Sequence, residues 1–203
     1  MKDFPNGLRM HKNFIPPGIP IDRIMQLIET DIIWSNALNR KTIHYGYEYD
    51  YGIREPHTRL LKKGKPPPKW LECLGEILYT HNIMRNQPNQ IIINKYEPGE
   101  GIGAHRDHYP IFDNDIATLS LGSEYIMEFK NRSDKTKSLS INLPIGSLLV
   151  FGDDARYNWT HEIKKRKSDI IVGKKQNRGA RISITFRTVM PIYKGLSLPA
   201  PNI

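Results

Sequence analysis

A histidine and an aspartate stand two residues apart in the segment NKYEPGEGIGAHRDH, residues 94–108. In an extended chain the side chains of His105 and Asp107 project to the same side, within reach of one ion. His161, in the segment WTHEI, lies further along on another predicted strand. Two imidazoles and one carboxylate on one face of a metal form the facial triad of non-haem Fe(II) oxygenases. The spacing therefore predicts a metal site at these three residues, and roles in surface or core packing are the alternative.

The segment RISITFR, residues 181–187, alternates polar and apolar side chains. Such a strand packs one face on a core and turns the other towards a polar space. Long side chains pointing inward from Arg181 and Arg187 could hold both ends of a short dicarboxylate, since buried arginines need anions. An outward-facing strand with exposed arginines is the alternative. Asn94 and Tyr96, at alternate positions after an apolar run, could donate hydrogen bonds into the same cavity.

Turn-forming residues precede the His105 segment. A phosphate-binding loop would require a helix after the glycines, and the sequence predicts none there. We interpret the run as a tight connection that carries the His-Arg-Asp segment over the mouth of a barrel, formed by Pro98, Gly99, Gly101 and Gly103.

The rest of the chain must position these residues. Two helices are predicted in the first third, in PIDRIMQLIET with Asp22 as N-cap and in PKWLECLGEILYTHNI. After residue 88 seven short β-rich runs follow one another, which predicts an antiparallel sandwich or barrel: QIIINKY, IATLSLG, YIMEFKN, SLSINLP, SLLVFGD, YNWTHEI and RISITFRTV.

Three further segments have distinct patterns. HYGYEYDYGIREP has aromatic residues at positions 45, 47, 49 and 51, which predicts a strand or hairpin with one aromatic face. LLKKGKPPPK predicts a loop or polyproline II segment. KKRKSDIIVGKKQNRG predicts a long basic loop before the last strand, of the kind that often has a function.

Composition limits the class of protein. With 203 residues one domain is the simplest arrangement. A formal charge of +9 favours a polyanionic partner, nucleic acid first, against a merely basic surface. The single cysteine, Cys73, excludes an intramolecular disulfide and a cysteine-based zinc site. No apolar run is long enough for a membrane span and the N-terminus is unlike a signal peptide, so we expect an intracellular protein, cytoplasmic or nuclear.

Several spaced motifs occur in a familiar order: N-x-Y, EPGEGIGAHRD, TLSLGSEYIMEFK, SLLVFGDDARYNWTHEI and RISITFR. From about Gly7 to Val189 the chain closely resembles the AlkB family of Fe(II)- and 2-oxoglutarate-dependent dioxygenases. The resemblance implies a mainly β fold with flanking α-helices, a double-stranded β-helix or jelly roll. It implies one dioxygenase domain over 1–203, with an N-terminal extension at 1–88 that contains the helices and a nucleotide-recognition segment, and a jelly-roll core at 89–190.

The resemblance also implies roles for individual residues. His105, Asp107 and His161 match the Fe(II) ligands, and the 2-oxoglutarate contacts match Asn94, Tyr96, Arg181 and Arg187. Ser183 takes a co-substrate-facing position that is asparagine in the bacterial repair enzyme. With O2, such a site converts 2-oxoglutarate to succinate and CO2 and hydroxylates a substrate carbon.

Within the family the chain looks most like the branch that hydroxylates the side chain of a wobble uridine in tRNA. The alternatives are an oxidative demethylase that repairs N-alkylated RNA or DNA, and a non-catalytic module that binds nucleic acid. We expect a monomer that acts on nucleic acid, RNA before DNA, away from membranes.

An unstacked base must be held between flat side chains, for which Tyr47, Tyr49 and Tyr51 are candidates. Simple packing is the alternative for these tyrosines. Phosphates could be bound by two basic clusters, Lys62, Lys63 and Lys65 in one and Lys164, Lys165, Arg166 and Lys167 in the other.

Overall fold

The computed structural model describes residues 4–15, 20–35, 40–49, 58–109, 111–191 and 197–199, with the backbone alone at 49, 58–61 and 197–199. Its elements are, in chain order, β1 Leu8–His11, α1 Ile21–Asp31, β2 Lys41–Tyr45, β3 Tyr47–Tyr49, β4 Thr58–Lys63, α2 Lys69–Thr80, β5 Gln90–Tyr96, β6 Ile102–His105, β7 Ile116–Gly122, β8 Tyr125–Asn131, β9 Ser138–Leu143, β10 Leu148–Phe151, α3 Asp153–Tyr157, β11 Trp159–Ile163, β12 Ser168–Ile171, β13 Lys174–Asn177, β14 Arg181–Arg187 and β15 Ser197–Pro199. No helix in these ranges is long and apolar enough to cross a membrane.

Two antiparallel sheets form the body of the protein. The major sheet has the strand order β1-β10-β7-β14-β5-β2, and the minor sheet has the order β6-β11-β8-β9. One apolar cluster takes residues from both sheets and fills the space between them, including Phe129, Leu143 and Trp159 of the minor sheet and Leu149 and Phe151 of the major sheet. This is the double-stranded β-helix that the resemblance implied, and all seven predicted strands are present. The N-terminal segment supplies both edge strands of the major sheet, β1 and β2.

The two predicted helices pack on the outer face of the major sheet. Ile24 and Ile28 of α1, with Leu71, Leu74 and Leu78 of α2, join the Ile-rich outward face of β5 and β14 in a second apolar cluster. Asp22 is not the N-cap of α1: Pro20 takes that position, with φ already near the helical value, and Asp22 lies in the first turn. There its carboxylate faces the positive end of the helix dipole.

The tyrosine segment does not have a single aromatic face. Gly46, with φ of +77°, separates β2 from β3 and interrupts the alternation of side chains. As a result Tyr45 packs in the outer cluster while Tyr47 packs against the cluster between the sheets. β3 pairs with β4, so residues 60–63, which the sequence predicted as loop, lie in a strand.

The basic segment at 164–179 is also not a loop. It contains the hairpin of β12 and β13, closed by Val172 and Gly173, both with positive φ. Such a two-residue turn matches the twist of a hairpin but usually contains Asn or Asp rather than Val, so the sequence signal was weak. The base of the hairpin is held by Arg178, whose Nε donates to Asp169 Oδ2 at 2.5 Å, with both side chains buried.

The glycine run is only partly a connection. A turn at residues 97–100 leads into β6, which already includes Gly103. Between the pairs Ile163–Ile102 and His161–His105, β6 has one residue more than β11, a β-bulge that sets the direction of His105. Gly101 is required for a close approach, since a Cβ there would overlap the backbone carbonyl of Ile163.

We predict that Gly101→Ala separates β6 from β11 and lowers the free energy of unfolding by roughly 1–3 kcal/mol, as overpacking does. Gly103→Ala is the matched control, because nothing lies within 4 Å of a Cβ at that position. Urea unfolding measures both variants. Equal effects on stability would show that the β6–β11 contact is not tight.

Candidate active site

Pairing of β6 with β11 brings the predicted metal ligands together. His161 lies directly opposite His105, and Asp107 follows two residues after the end of β6. Nε2 of His105 is 3.6 Å from Asp107 Oδ1, and Nε2 of His161 is 3.8 Å from the same oxygen. One donor atom from each residue lies within 4.8 Å of the others. Three donors of the type that Fe(II) takes therefore converge on one point.

Hydrogen bonding and burial prepare the two imidazoles as ligands. Nδ1 of His105 is 2.8 Å from the backbone oxygen of Gly103, which can only accept, so Nδ1 bears the proton and Nε2 offers a lone pair. His161 lies against the rings of Phe129 and Phe151. Burial, and next His105, lower the pKa of His161 to about 3, so this imidazole is neutral at physiological pH.

Asp107 is a buried carboxylate that keeps its charge. Burial opposes its ionisation, but the positive charge of Arg187 outweighs burial and holds the pKa of Asp107 well below its usual value. Nη1 of Arg187 donates to Asp107 Oδ2 at 3.2 Å, while Nε donates to Gln90 Oε1 at 2.7 Å. The Arg187 guanidinium also lies over the Phe112 ring, 4.3 Å from its centroid. One of its nitrogens, Nη2, has no partner among the described residues.

Arg181 lies at the other end of β14 in a different environment. It is 1% exposed, and its Nη2 donates to Ser120 Oγ at 2.9 Å. The guanidinium carbon is 5.7 Å and 5.8 Å from the ring centroids of Tyr96 and Tyr125. Within the described part of the chain Arg181 has no carboxylate partner, and its buried Nε has no acceptor. A buried cation without an anion is costly, which makes this position suited to the carboxylate of a ligand.

Polar side chains connect the two arginines along the inner face of the major sheet. Antiparallel register places Asn94 beside Ser183 and Tyr96 beside Arg181. Asn94 Oδ1 accepts a hydrogen bond from Arg40 Nε at 2.8 Å, and Ser183 Oγ lies 2.9 Å from Thr118 Oγ1. The four positions predicted to contact a dicarboxylate therefore share one buried surface, and the predicted alternation of β14 is confirmed.

Three arginines near the site were not predicted. Arg40 precedes β2, where no periodic pattern indicates its direction. Arg156 is 1% exposed and donates from Nη1 to the backbone oxygen of Asp107 at 2.8 Å and from Nη2 to that of His108 at 3.2 Å. Arg106 lies between two of the candidate ligands and donates from Nη1 to the backbone oxygen of Tyr157 at 3.0 Å. Arg156 lies among polar residues before His161, where no local pattern indicates that it is buried.

The residues predicted to contact substrate are less clearly grouped. Tyr47 packs against the inner apolar cluster, only the backbone of Tyr49 is described, and Tyr51 lies outside the described residues. Several residues of the basic clusters already have partners: Lys62 with Glu48, Lys65 over the Tyr45 ring, Lys164 with Glu128, and Arg166 with Glu128 and Asp169. These contacts reduce the charge that the clusters offer to phosphates.

Comparison with known proteins agrees with this geometry. The family model described as the 2OG-Fe(II) oxygenase superfamily matches residues 8–187. The chain is 36% identical over 185 residues to "Uncharacterized protein L905" of Acanthamoeba polyphaga mimivirus, covering 91% of this chain and 86% of that protein. It is 36% identical over 171 residues to mouse "tRNA (carboxymethyluridine(34)-5-O)-methyltransferase ALKBH8", covering 74% of this chain and 25% of that protein.

This chain belongs to the AlkB family of 2OG-Fe(II) oxygenases. It is a 2-oxoglutarate-dependent dioxygenase that uses Fe(II). The solved structure of OsALKBH1 has the same fold, with a TM-score of 0.63 at 16% identity over 90% of this chain and 98% of that one. The residues present fit both Fe(II) and 2-oxoglutarate. The three donors suit Fe(II), and Arg181 Nε and Arg187 Nη2, which have no partner among the described residues, suit a dicarboxylate.

Burial of neutral His161 makes stability depend on pH. Between its folded pKa of about 3 and the ordinary value of 6.5, only the unfolded chain takes up a proton, so the free energy of unfolding falls as pH is lowered. We predict that metal-free protein loses up to about 3 kcal/mol from this group between about pH 6.5 and 4.5. His44, with a pKa lowered to about 4 mainly by burial, adds to the loss.

Urea unfolding over this pH range tests whether His161 is buried and neutral. We expect His161→Leu to reduce the slope of the free energy of unfolding against pH. His81→Leu removes an exposed histidine at the end of α2 and is the control. A slope that His161→Leu leaves unchanged would contradict the buried neutral imidazole.

The hydrogen bonds from Arg156 to the backbone oxygens of Asp107 and His108 suit a role in positioning Asp107. We predict that Arg156→Met weakens Mn(II) binding about 10- to 100-fold, as loss of groups that support metal ligands does, because the backbone of the Asp107 segment is released. Arg178→Met is the matched control: it removes another buried arginine, at the hairpin base, and should lower stability with little effect on metal affinity. Calorimetric titration with Mn(II) and urea unfolding separate the two effects, and equal metal affinities in both variants would exclude the positioning role.

Proposed function

We propose that this dioxygenase hydroxylates a modified nucleobase in RNA, and specifically the side chain of a uridine in tRNA. Two findings support the substrate class. The mouse relative has carboxymethyluridine at position 34 of tRNA in its name, although this chain matches only 25% of that protein. The charge of +9 suits a polyanionic substrate.

The observation that carries the enzymatic part is the convergence of three metal-ligand atoms. On the buried face of β14, Arg181 has no carboxylate partner among the described residues. In this proposal Nε2 of His105, Nε2 of His161 and the Asp107 carboxylate hold Fe(II). Arg181, with Asn94 and Tyr96, receives the far carboxylate of 2-oxoglutarate. The whole chain, 1–203, acts as one dioxygenase domain.

When bound, Fe(II), 2-oxoglutarate and O2 supply the oxidation: one oxygen atom enters succinate as CO2 leaves, and the other enters a C–H bond of the substrate. The chain contributes charge and orientation. Arg187 keeps Asp107 ionised and fixed, and Arg156 holds the backbone beside it. Burial keeps His161 neutral, so its lone pair remains available.

The position of the hydroxylated carbon decides the product. A carbon attached to carbon keeps its new hydroxyl group, whereas a carbon attached to a base nitrogen leaves as formaldehyde. Oxidative dealkylation of RNA or DNA is therefore the second candidate function for the same site.

We predict that bulk tRNA incubated with the enzyme, Fe(II) and 2-oxoglutarate yields a modified uridine that gains one oxygen, with succinate and without formaldehyde. Mass spectrometry of the nucleosides and a formaldehyde assay measure the products. His161→Ala should reduce both products to background because it removes a metal ligand, and His81→Ala, an exposed histidine of the same type, should not. Formaldehyde formed in step with succinate would favour dealkylation, and full succinate formation by His161→Ala would refute the site.

A further inference from the structure

Beside the metal ligands lies a surface cluster of two arginines and a tyrosine, Arg106, Arg132 and Tyr109. Arg106 is one residue, about 3.8 Å between Cα atoms, from each of His105 and Asp107. Its guanidinium lies 5.9 Å from the centroid of the Tyr109 ring. Tyr109 is 52% exposed and meets the Tyr157 ring edge-on, with 5.4 Å between centroids. An exposed flat ring and a half-buried cation thus lie beside the candidate metal ligands.

Both arginines are held at the same place, the junction of α3 and β11. Nη1 of Arg106 donates to the backbone oxygen of Tyr157. The backbone nitrogen of Arg132 donates to the backbone oxygen of Asn158 at 2.9 Å. Tyr157 and Asn158 are neighbours in the chain, so the two arginines start from adjacent points of this junction. Two positive charges anchored at one place attract an anion more strongly than one charge does.

Acidic groups nearby do not neutralise this pair. In the described ranges neither Arg106 nor Arg132 forms an ion pair with a carboxylate. Asp154 accepts from Asn158 Nδ2 and Trp159 Nε1, each at 2.9 Å, and Asp153 pairs with Arg85. By contrast, Lys62, Lys164 and Arg166 of the basic clusters already contact carboxylates.

We propose that Arg106 and Arg132 bind backbone phosphate of an unpaired RNA segment while Tyr109 stacks on a base next to the nucleotide that is oxidised. Exposed aromatic rings with flanking cations are the usual means of binding single strands, because each unpaired base presents a flat face. A base in a duplex is already stacked on both sides and offers no such face. The proposal rests on the proposed RNA substrate and specifies an unpaired loop as its form.

The phosphate contacts are tested by the salt dependence of RNA binding. Protein loaded with Mn(II) and 2-oxoglutarate is titrated with a short fluorescein-labelled single-stranded RNA over a series of KCl concentrations. Each phosphate contact contributes about 0.7 to the slope of log affinity against log salt, so Arg106→Gln with Arg132→Gln should lower the slope by about 1.4. The control, Arg23→Gln with Lys69→Gln, removes the same charge from α1 and α2 on the far side of the major sheet and should leave the slope nearly unchanged.

The stacking contact has a separate signature. Tyr109→Leu should weaken binding of the single strand about 5- to 150-fold without changing the salt slope, since stacking is not electrostatic. Tyr79→Leu, at a tyrosine of similar exposure on α2, is the control and should bind as the wild type does. With the same RNA annealed to its complement, Tyr109→Leu should lose no more affinity than this control.

A salt slope that the double arginine variant shares with its control would overturn the phosphate site, and an equal loss for Tyr109→Leu on duplex and single strand would overturn the stacking site. Mn(II) titration of the double variant shows whether the neighbouring ligands are intact. If Arg106→Gln disturbs them, Arg132→Gln alone carries the test with an expected slope change of about 0.7. Failure of the proposed function is distinguishable: RNA would then bind through this surface but gain no oxygen.

Discussion

A buried ion pair joins the two sheets of this enzyme at its metal site. Asp107 lies two residues after the end of β6 in the minor sheet, and Arg187 ends β14 in the major sheet. Breaking such a pair leaves an uncompensated charge in the interior, which costs about 3–5 kcal/mol. The relative position of the sheets and the charge of the central ligand are therefore secured by the same contact. Gln90 and Phe112 hold the guanidinium that makes this possible.

The two arginines of β14 differ in their hydrogen-bond and charge partners. Arg187 is largely satisfied by groups of the protein, whereas Arg181 is buried among hydroxyl-bearing and aromatic side chains without a counter-ion in the described structure. A buried arginine without a counter-ion is the less stable of these two arrangements. A dicarboxylate that reaches from the metal to Arg181 would supply the missing counter-ion. Because the Arg181 guanidinium is already desolvated and ordered in the folded protein, ligand binding would not have to meet that free-energy cost again.

Local pattern indicated most of the elements and failed where contacts between distant segments decide the structure. The seven strands and two helices follow from apolar periodicity, because the apolar side chains of each element pack into the outer or the inner cluster. The hairpin at 168–177 was read as a loop because its turn has an unusual residue, and its stability depends on the buried Asp169–Arg178 pair. Likewise Leu60–Lys63 lie in a strand because β3 and β15 pair with β4 from distant parts of the chain.

By itself the sequence indicated the candidate side chains of the site. Two-residue spacing at His105 and Asp107, alternation along β14 and the order of the motifs were enough to name the metal trio and the arginine pair, because side-chain direction in a strand repeats every two residues. Only the tertiary structure decided how these groups meet: His161 opposite His105 across a bulge, Arg187 bound to Asp107, and Arg181 left with no carboxylate among the described residues. It also brought in Arg40, Arg106 and Arg156, since their roles depend on partners from distant segments that no local period records.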